Sequence, residues 1–66
     1  MRVIVNGESR EVAEGVSLAD VVAQLTDAPR GIAVAVNAAV VPRGGWTATS
    51  LTDDDRIEVL TAVQGG

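Results

Sequence analysis

Short runs of β-branched residues near the start, middle and end of the chain predict the strands of one sheet. The first run, residues 2–5, precedes Asn6 and Gly7, a dipeptide typical of a two-residue hairpin turn because both residues tolerate a positive φ. Residues 8–13 are then expected to return as a second strand, with Val12 on its one buried face.

A helical period follows the hairpin. Ser17 is expected to cap the free amides of the first turn, and Asp20 to reach back in a capping-box arrangement. The apolar residues of this segment recur at the spacing of one helical face: Leu18, Val21, Val22 and Leu25. The helix should end near Thr26 or Asp27, because Pro29 disfavours its continuation.

The second half of the chain predicts three more strands. Residues 32–36 form one after Gly31, residues 40–41 form a very short edge strand that Pro42 stops, and residues 56–61 form the last. Turns are expected at residues 37–39 and 53–55, with a loop at residues 43–45. Trp46 should fold over one end of the core and Leu51 should plug it.

One helix and four to five strands predict an α+β fold, a mixed sheet with the helix packed across one face and the other face toward solvent. The alternation of the strands assigns six side chains to the helix-facing side: Val3, Val5, Val34, Val36, Ile57 and Val59. It assigns four others to the open face: Ile4, Ala33, Ala35 and Leu60. The 66 residues are expected to form a single domain, residues 1–66, with a flexible tail at residues 62–66.

Composition excludes several classes of function. The net charge is −4 and all five basic residues are scattered arginines, which argues against nucleic acid and anionic membranes as partners. The longest apolar stretch, residues 32–41, is too short to span a bilayer, and no targeting segment precedes the first strand. A cytoplasmic location is therefore expected.

The chain lacks Cys, His, Lys and Tyr, so a Ser or Thr nucleophile would have no ordinary base, and we expect a protein that is not an enzyme. Asp53, Asp54 and Asp55 offer oxygen ligands but lack the further spaced ligands of a calcium loop, so they are interpreted as a solvated turn and no metal site is expected. No cofactor is expected either. Gly44 and Gly45 lack the spacing and the lysine of a phosphate-binding loop.

Gly65 and Gly66 give the α-carboxylate a possible role as a reactive handle. A carboxylate is inert at neutral pH, so another enzyme would have to activate it, for example as an acyl-adenylate. Glycine suits this task because it has no side chain to obstruct a narrow tunnel or the approach to the acyl carbon.

The chain resembles a known family, the ThiS sulfur carriers of bacterial thiamine biosynthesis, which have the ubiquitin-like β-grasp fold. The resemblance covers the whole length, and its specific parts are Val5-Asn6-Gly7, Val36-Asn37, Val41-Pro42-Arg43, Trp46, Asp55-Arg56-Ile57-Glu58-Val59 and Ala62-Val63-Gln64-Gly65-Gly66. The sequence departs from the family at Asp54, where glycine is common; Asp54 can still adopt the positive φ that glycine allows, and the departure leaves the conformation of this turn open. Five residues that match family positions are assigned to structure before binding: Asn37, Val41, Pro42, Arg43 and Trp46.

The resemblance implies a mechanism and partners. An E1-like adenylating enzyme would activate Gly66, and a persulfide sulfur donor would displace the adenylate to leave a thiocarboxylate. Thiazole synthase would then take the sulfur for the thiazole ring of thiamine. Val63, Gln64 and Gly65 would thread the partner's active site together with Gly66.

Two aspects stay open from the sequence. A molybdopterin-type or other sulfur carrier, a ubiquitin-like protein modifier and a plain interaction domain are alternatives to the thiamine carrier. The partner-binding surface is a hypothesis that rests on exposed apolar residues of the open face next to the tail, namely Ile4, Ala35 and Leu60.

Overall fold

The computed structural model describes residues 1–26 and 31–61. Over these residues the elements are β1 (Arg2–Val5), β2 (Glu8–Glu11), α1 (Leu18–Leu25), β3 (Ile32–Val36), β4 (Ala39–Val40), a 3-10 turn at Arg43–Gly45, and β5 (Arg56–Thr61). The strands form one five-stranded sheet in the order β2-β1-β5-β3-β4. β1 runs parallel to β5, whereas the other neighbours are antiparallel, so the sheet is mixed as predicted.

The helix begins and ends where its sequence signals predict. Ser17 caps α1, its hydroxyl accepts the Asp20 amide at 3.1 Å, and the Asp20 carboxylate accepts the Ser17 amide at 3.1 Å. Thr26 is the C-terminal cap. None of the helices in residues 1–26 and 31–61 is long and apolar enough to cross a membrane.

The core lies between α1 and one face of the sheet, as the alternation of the strands predicts. Its buried members are Val3, Val5, Val12, Val16, Leu18, Val21, Val22, Val34, Trp46, Leu51 and Ile57. Val36 and Val59, which were also assigned to this face, are partly buried against the same cluster. Trp46 closes one end of the core, and its indole Nε1–H donates to the Val41 carbonyl at 2.8 Å.

Two strand predictions were wrong in detail. β2 ends at Glu11 and all four of its residues are exposed, because it is the edge strand; Val12 is buried just beyond its end. β4 is Ala39–Val40 rather than residues 40–41, because Asn37 (φ 50°) and Ala38 (φ 71°) alone form the turn, which lets Ala39 pair with Val36. A tight two-residue turn of this kind requires positive φ at both central positions.

The acidic turn at residues 53–55 is fixed by the first strand. Asp54 adopts φ 68°, the conformation that glycine would also allow, and its carboxylate accepts both the Nη2–H (2.6 Å) and the Nε–H (3.1 Å) of Arg2. Asp53 accepts the Arg2 backbone amide at 2.8 Å. The turn therefore ties the start of β5 to the start of β1, through an exposed ion pair that contributes little by itself.

Candidate functional site

The central strand β5 leads directly into the predicted tail, so its surroundings define the candidate site. β5 pairs with β3 from its second residue to its end, with Val36 opposite Ile57 and Ile32 opposite Thr61. On its other side it pairs with β1 only at its beginning, where Ile4 and Val5 are the partners. The predicted tail residues Val63, Gln64, Gly65 and Gly66 lie outside the described residues.

The start of β5 is held by a network of polar side chains. Asn37 donates its backbone amide to the Arg56 carbonyl at 2.7 Å, and its Oδ1 accepts the Arg56 amide at 3.0 Å. The Asn37 Nδ2 donates to Asp55 at 3.0 Å, and Asp55 also accepts the amide and the hydroxyl of Thr52, at 2.8 and 3.0 Å. The side chain of Asn37 thus supplies the acceptor for the Arg56 amide.

These bonds change the acidity of Asp55. Partial burial by itself would raise the pKa of this carboxyl, but the hydrogen bonds from the Thr52 amide, the Asn37 carboxamide and the Thr52 hydroxyl outweigh that effect and lower the pKa below its ordinary value of 3.8. The charged form of Asp55 is therefore part of the folded structure at the start of β5.

Asn6 makes the corresponding contact toward the other end of β5. Its backbone amide donates to the Ile57 carbonyl at 2.9 Å, and then the chain turns away at φ 50°. The side chain continues the ladder: Oδ1 accepts the Val59 amide at 2.9 Å, and Nδ2 donates to the Val59 carbonyl at 3.3 Å. β5 is thereby held on this side two residues beyond its last backbone pairing with β1.

The open face near the end of β5 is apolar. Leu60 is 66% exposed and lies opposite Ala33, whereas Val40 is 73% exposed and lies opposite Ala35. Since opposite residues share a face, the two large side chains flank the two small alanines on β3. We call Ala33, Ala35, Val40 and Leu60 the apolar patch.

The structure brings two of the three predicted surface residues together. Ala35 and Leu60 belong to the apolar patch, but Ile4 is half-buried and pairs with Arg56, about 13 Å along the sheet from Leu60. Sequence reasoning missed Val40, because the predicted β4 had no register. Recognising Asn37 and Ala38 as a complete two-residue turn would have placed Val40 opposite Ala35.

Charge is present beside the patch but not within it. Glu58 lies opposite Ala35 in the ladder and is exposed, with no hydrogen-bond or ionic partner among the described residues. A carboxylate next to exposed apolar side chains favours a partner surface that is apolar with basic residues at its rim. This suits the acidic balance of the whole chain, whose net charge is −4.

The chemistry available in the described residues is limited. An open groove of about 440 Å³ lies between α1 and the Trp46 loop, and it is lined by Ala19, Val22, Ala23, Thr26, Arg43, Trp46 and Thr47. These residues include no carboxylate that could serve as a base. Across residues 1–26 and 31–61 no three acidic side chains converge to hold a metal ion.

Comparison with known proteins identifies the family. A family model described as the ThiS family matches residues 3–66. A thiazole synthase of Magnetococcus marinus is 39% identical over the 66 residues, and the chain spans 20% of the length of that protein. The sulfur carrier protein ThiS of Escherichia coli is 29% identical, and the match covers all of both chains.

A solved structure gives the same result for the fold. The crystal structure of the thiamine biosynthesis protein ThiS from Geobacter metallireducens superimposes with a TM-score of 0.83 and 30% sequence identity, over all of both chains. The predicted ubiquitin-like β-grasp fold is thus confirmed. Since the family model matches nearly all of its residues, the chain belongs to the ThiS family.

Proposed function

We propose that this chain is a sulfur carrier protein of thiamine biosynthesis, a carrier and not a catalyst. The observation that carries the proposal is that the family match continues to residue 66 and so includes Gly65 and Gly66. The Escherichia coli relative, which matches over its whole length, is named a sulfur carrier protein. The lack of Cys, His and Lys agrees with a role in which other proteins supply the chemistry.

The reacting group in this proposal is the carboxylate of Gly66. Its oxygen attacks the α-phosphorus of ATP in an E1-like adenylating enzyme, pyrophosphate leaves, and an acyl-adenylate forms. A persulfide sulfur then attacks the acyl carbon and AMP leaves, which gives an acyl disulfide. A thiol reduces the S–S bond and frees the thiocarboxylate, the form that donates sulfur for the thiazole ring.

The proposed recognition surface is the apolar patch together with the end of β5. Leu60 and Val40 would insert between apolar side chains of the adenylating enzyme, and Glu58 would meet a basic residue at the rim. Val63, Gln64 and Gly65 would thread the active site as an extended segment. Ile4, the third predicted surface residue, would lie at the far margin of the contact, since it pairs with Arg56.

Thiazole synthase is the second proposed partner. In the Magnetococcus marinus protein named thiazole synthase, a segment similar to this whole chain makes up 20% of the length. A carrier unit on the same polypeptide as a synthase has a high effective concentration at its partner. We infer that the separate chain meets the same kind of enzyme by diffusion, as a donor of sulfur.

The experiment that tests the function is intact mass spectrometry after incubation with ATP, the cognate adenylating enzyme and a sulfide source. Sulfide attacks the acyl-adenylate directly, so the expected product gains one sulfur and loses one oxygen. A chain that lacks Gly66 is the matched control and should stay unchanged. The absence of a gain in the intact chain, with an enzyme shown to be competent, would refute the proposal; conjugates to lysine would indicate a protein modifier instead.

A further inference from the structure

On its β1 side, the last described contact of β5 is made by the side chain of Asn6. β1 stops at Val5, opposite Ile57, whereas β5 continues to Thr61. Over that extension the carboxamide of Asn6 contacts β5 from the β1 side and bonds both the amide and the carbonyl of Val59. β3 accompanies β5 to Thr61 on the other side, so Asn6 decides whether the end of the strand is held from one side or from two.

The location of this contact relates it to the proposed reaction. Val59 lies immediately before Leu60 of the apolar patch and within the strand that continues toward Gly66. An enzyme that docks on the patch must receive the terminal carboxylate at a fixed distance and direction from the docked surface. The direction of β5 at Val59 fixes where the chain leaves the docked surface, and with it the region that the terminal carboxylate can reach.

We propose that Asn6 is a positioning residue for the adenylation of Gly66, an inference that rests on the proposed carrier function. Its carboxamide holds Val59 in line with the sheet, so that a carrier docked through the apolar patch presents its terminal carboxylate to the nucleotide. Asn6 touches neither the nucleotide nor the reacting carbon in this account, and it acts through the backbone of β5.

The chain offers a matched control in Asn37, which has the same φ of 50° and makes the equivalent side-chain bond to the Arg56 amide at the opposite end of β5. Glycine tolerates this φ, so Asn6→Gly and Asn37→Gly each delete a carboxamide without forcing the backbone into a new conformation. Both variants are expected to lose stability to a similar extent. Glycine at position 37 keeps the turn that places Val40, and only Asn6→Gly removes a contact of Val59, the residue before Leu60.

The decisive readout is the steady-state rate of adenylation by the cognate enzyme, measured as pyrophosphate release. Asn6→Gly is expected to lower kcat about tenfold and to leave KM within about twofold, because docking is intact and the carboxylate is misplaced. Asn37→Gly should change neither constant by more than about twofold. Equal kcat values for the two variants, or a loss confined to KM, would overturn the inference.

Amide hydrogen exchange of the free protein supplies the second readout and needs no enzyme. Asn6→Gly should accelerate exchange of the Val59 amide about tenfold beyond the change seen at Val22, a buried residue in the middle of α1. An unchanged Val59 amide would refute the positioning role. If the parent chain is not adenylated, the carrier function and this inference both fail; if the parent chain is adenylated and Asn6→Gly has the same kcat, the inference alone is refuted.

Discussion

The two asparagine turns that flank β5 share a backbone geometry but differ in their surroundings. Asn6 and Asn37 both have φ 50°, donate a backbone amide to a β5 carbonyl, and accept a β5 amide on the side-chain oxygen. Around Asn37 the bond belongs to a network with Asp55 and Thr52, whereas the Asn6 side chain bonds Val59 alone. Several polar groups therefore anchor the start of β5, whereas the end of β5, beside the apolar patch, is held on its β1 side by the Asn6 side chain.

The largest loss of stability should come from removing core volume between the two turns. Ile57 is 1% exposed and lies between the two anchoring points, so Ile57→Ala leaves a cavity under both. The free energy of unfolding should fall by about 2–5 kcal/mol, a large share of the stability of a small domain. Urea denaturation measures this loss. Val40→Ala, at a site that is 73% exposed, is the control and should change stability by less than about 0.5 kcal/mol.

A charge on the apolar patch should impair binding and leave the fold intact. Leu60→Asp removes an exposed apolar side chain near the end of β5, and we expect the KM for adenylation to rise about tenfold, which corresponds to about 1.4 kcal/mol. Unfolding measured in urea should change by less than about 0.5 kcal/mol. Arg56→Ser, on the same face at the opposite end of β5, should leave KM unchanged. If the parent chain, Leu60→Asp and Arg56→Ser had equal KM values, the apolar patch would not be the recognition surface.

The sequence predicted those features that depend on local pattern. The capping box of Ser17 and Asp20 and the helix-facing side of the sheet follow from spacing alone, and both are confirmed. Comparison with the family pattern left the conformation of the turn at Asp54 open, and the structure gives Asp54 a positive φ. The bounds of β4 were predicted wrongly, because an alanine at φ 71° is unusual and nothing in the Asn37-Ala38 pair signals it as clearly as glycine signals the first turn.

Long-range contacts explain the rest of what was missed. The bond from Asn6 to Val59 spans 53 positions in sequence, and it depends on the parallel pairing of the first and last strands. No periodicity in either segment shows that pairing. The position of Val40 in the patch likewise depends on strand register, and it became visible only when β4 was placed against β3.

Acid should weaken the start of β5 selectively. The pKa of Asp55 is lowered in the folded protein, so its contribution to stability is present above its ordinary value of 3.8 and is lost as the pH falls through the lower folded value. Asp55→Asn should cost about 1 kcal/mol at pH 7. The difference in unfolding free energy between the parent chain and Asp55→Asn should become smaller below pH 3.8. Urea denaturation over an acid pH series measures this difference. A difference that stays constant or grows below pH 3.8 would contradict the stabilising role of the charged Asp55.

The smallest effects should come from exchanging the residues that follow the two asparagines. Ala38 at φ 71° carries a strain of about 1 kcal/mol that glycine lacks, partly offset by the greater freedom of glycine in the unfolded chain. Ala38→Gly should therefore stabilise the protein by about 0.5 kcal/mol.

The reverse change is its counterpart at the other turn. Gly7 lies at φ 84° and a Cβ there would meet nothing within 4 Å, so Gly7→Ala adds strain without a clash and should destabilise by a similar amount. The double variant should then unfold at nearly the same urea concentration as the parent chain, since distant sites add. If Gly7→Ala cost several times more than Ala38→Gly gained, the turn beside Asn6 would be the more tightly constrained of the two, and the end of β5 would be held more firmly than its few bonds indicate.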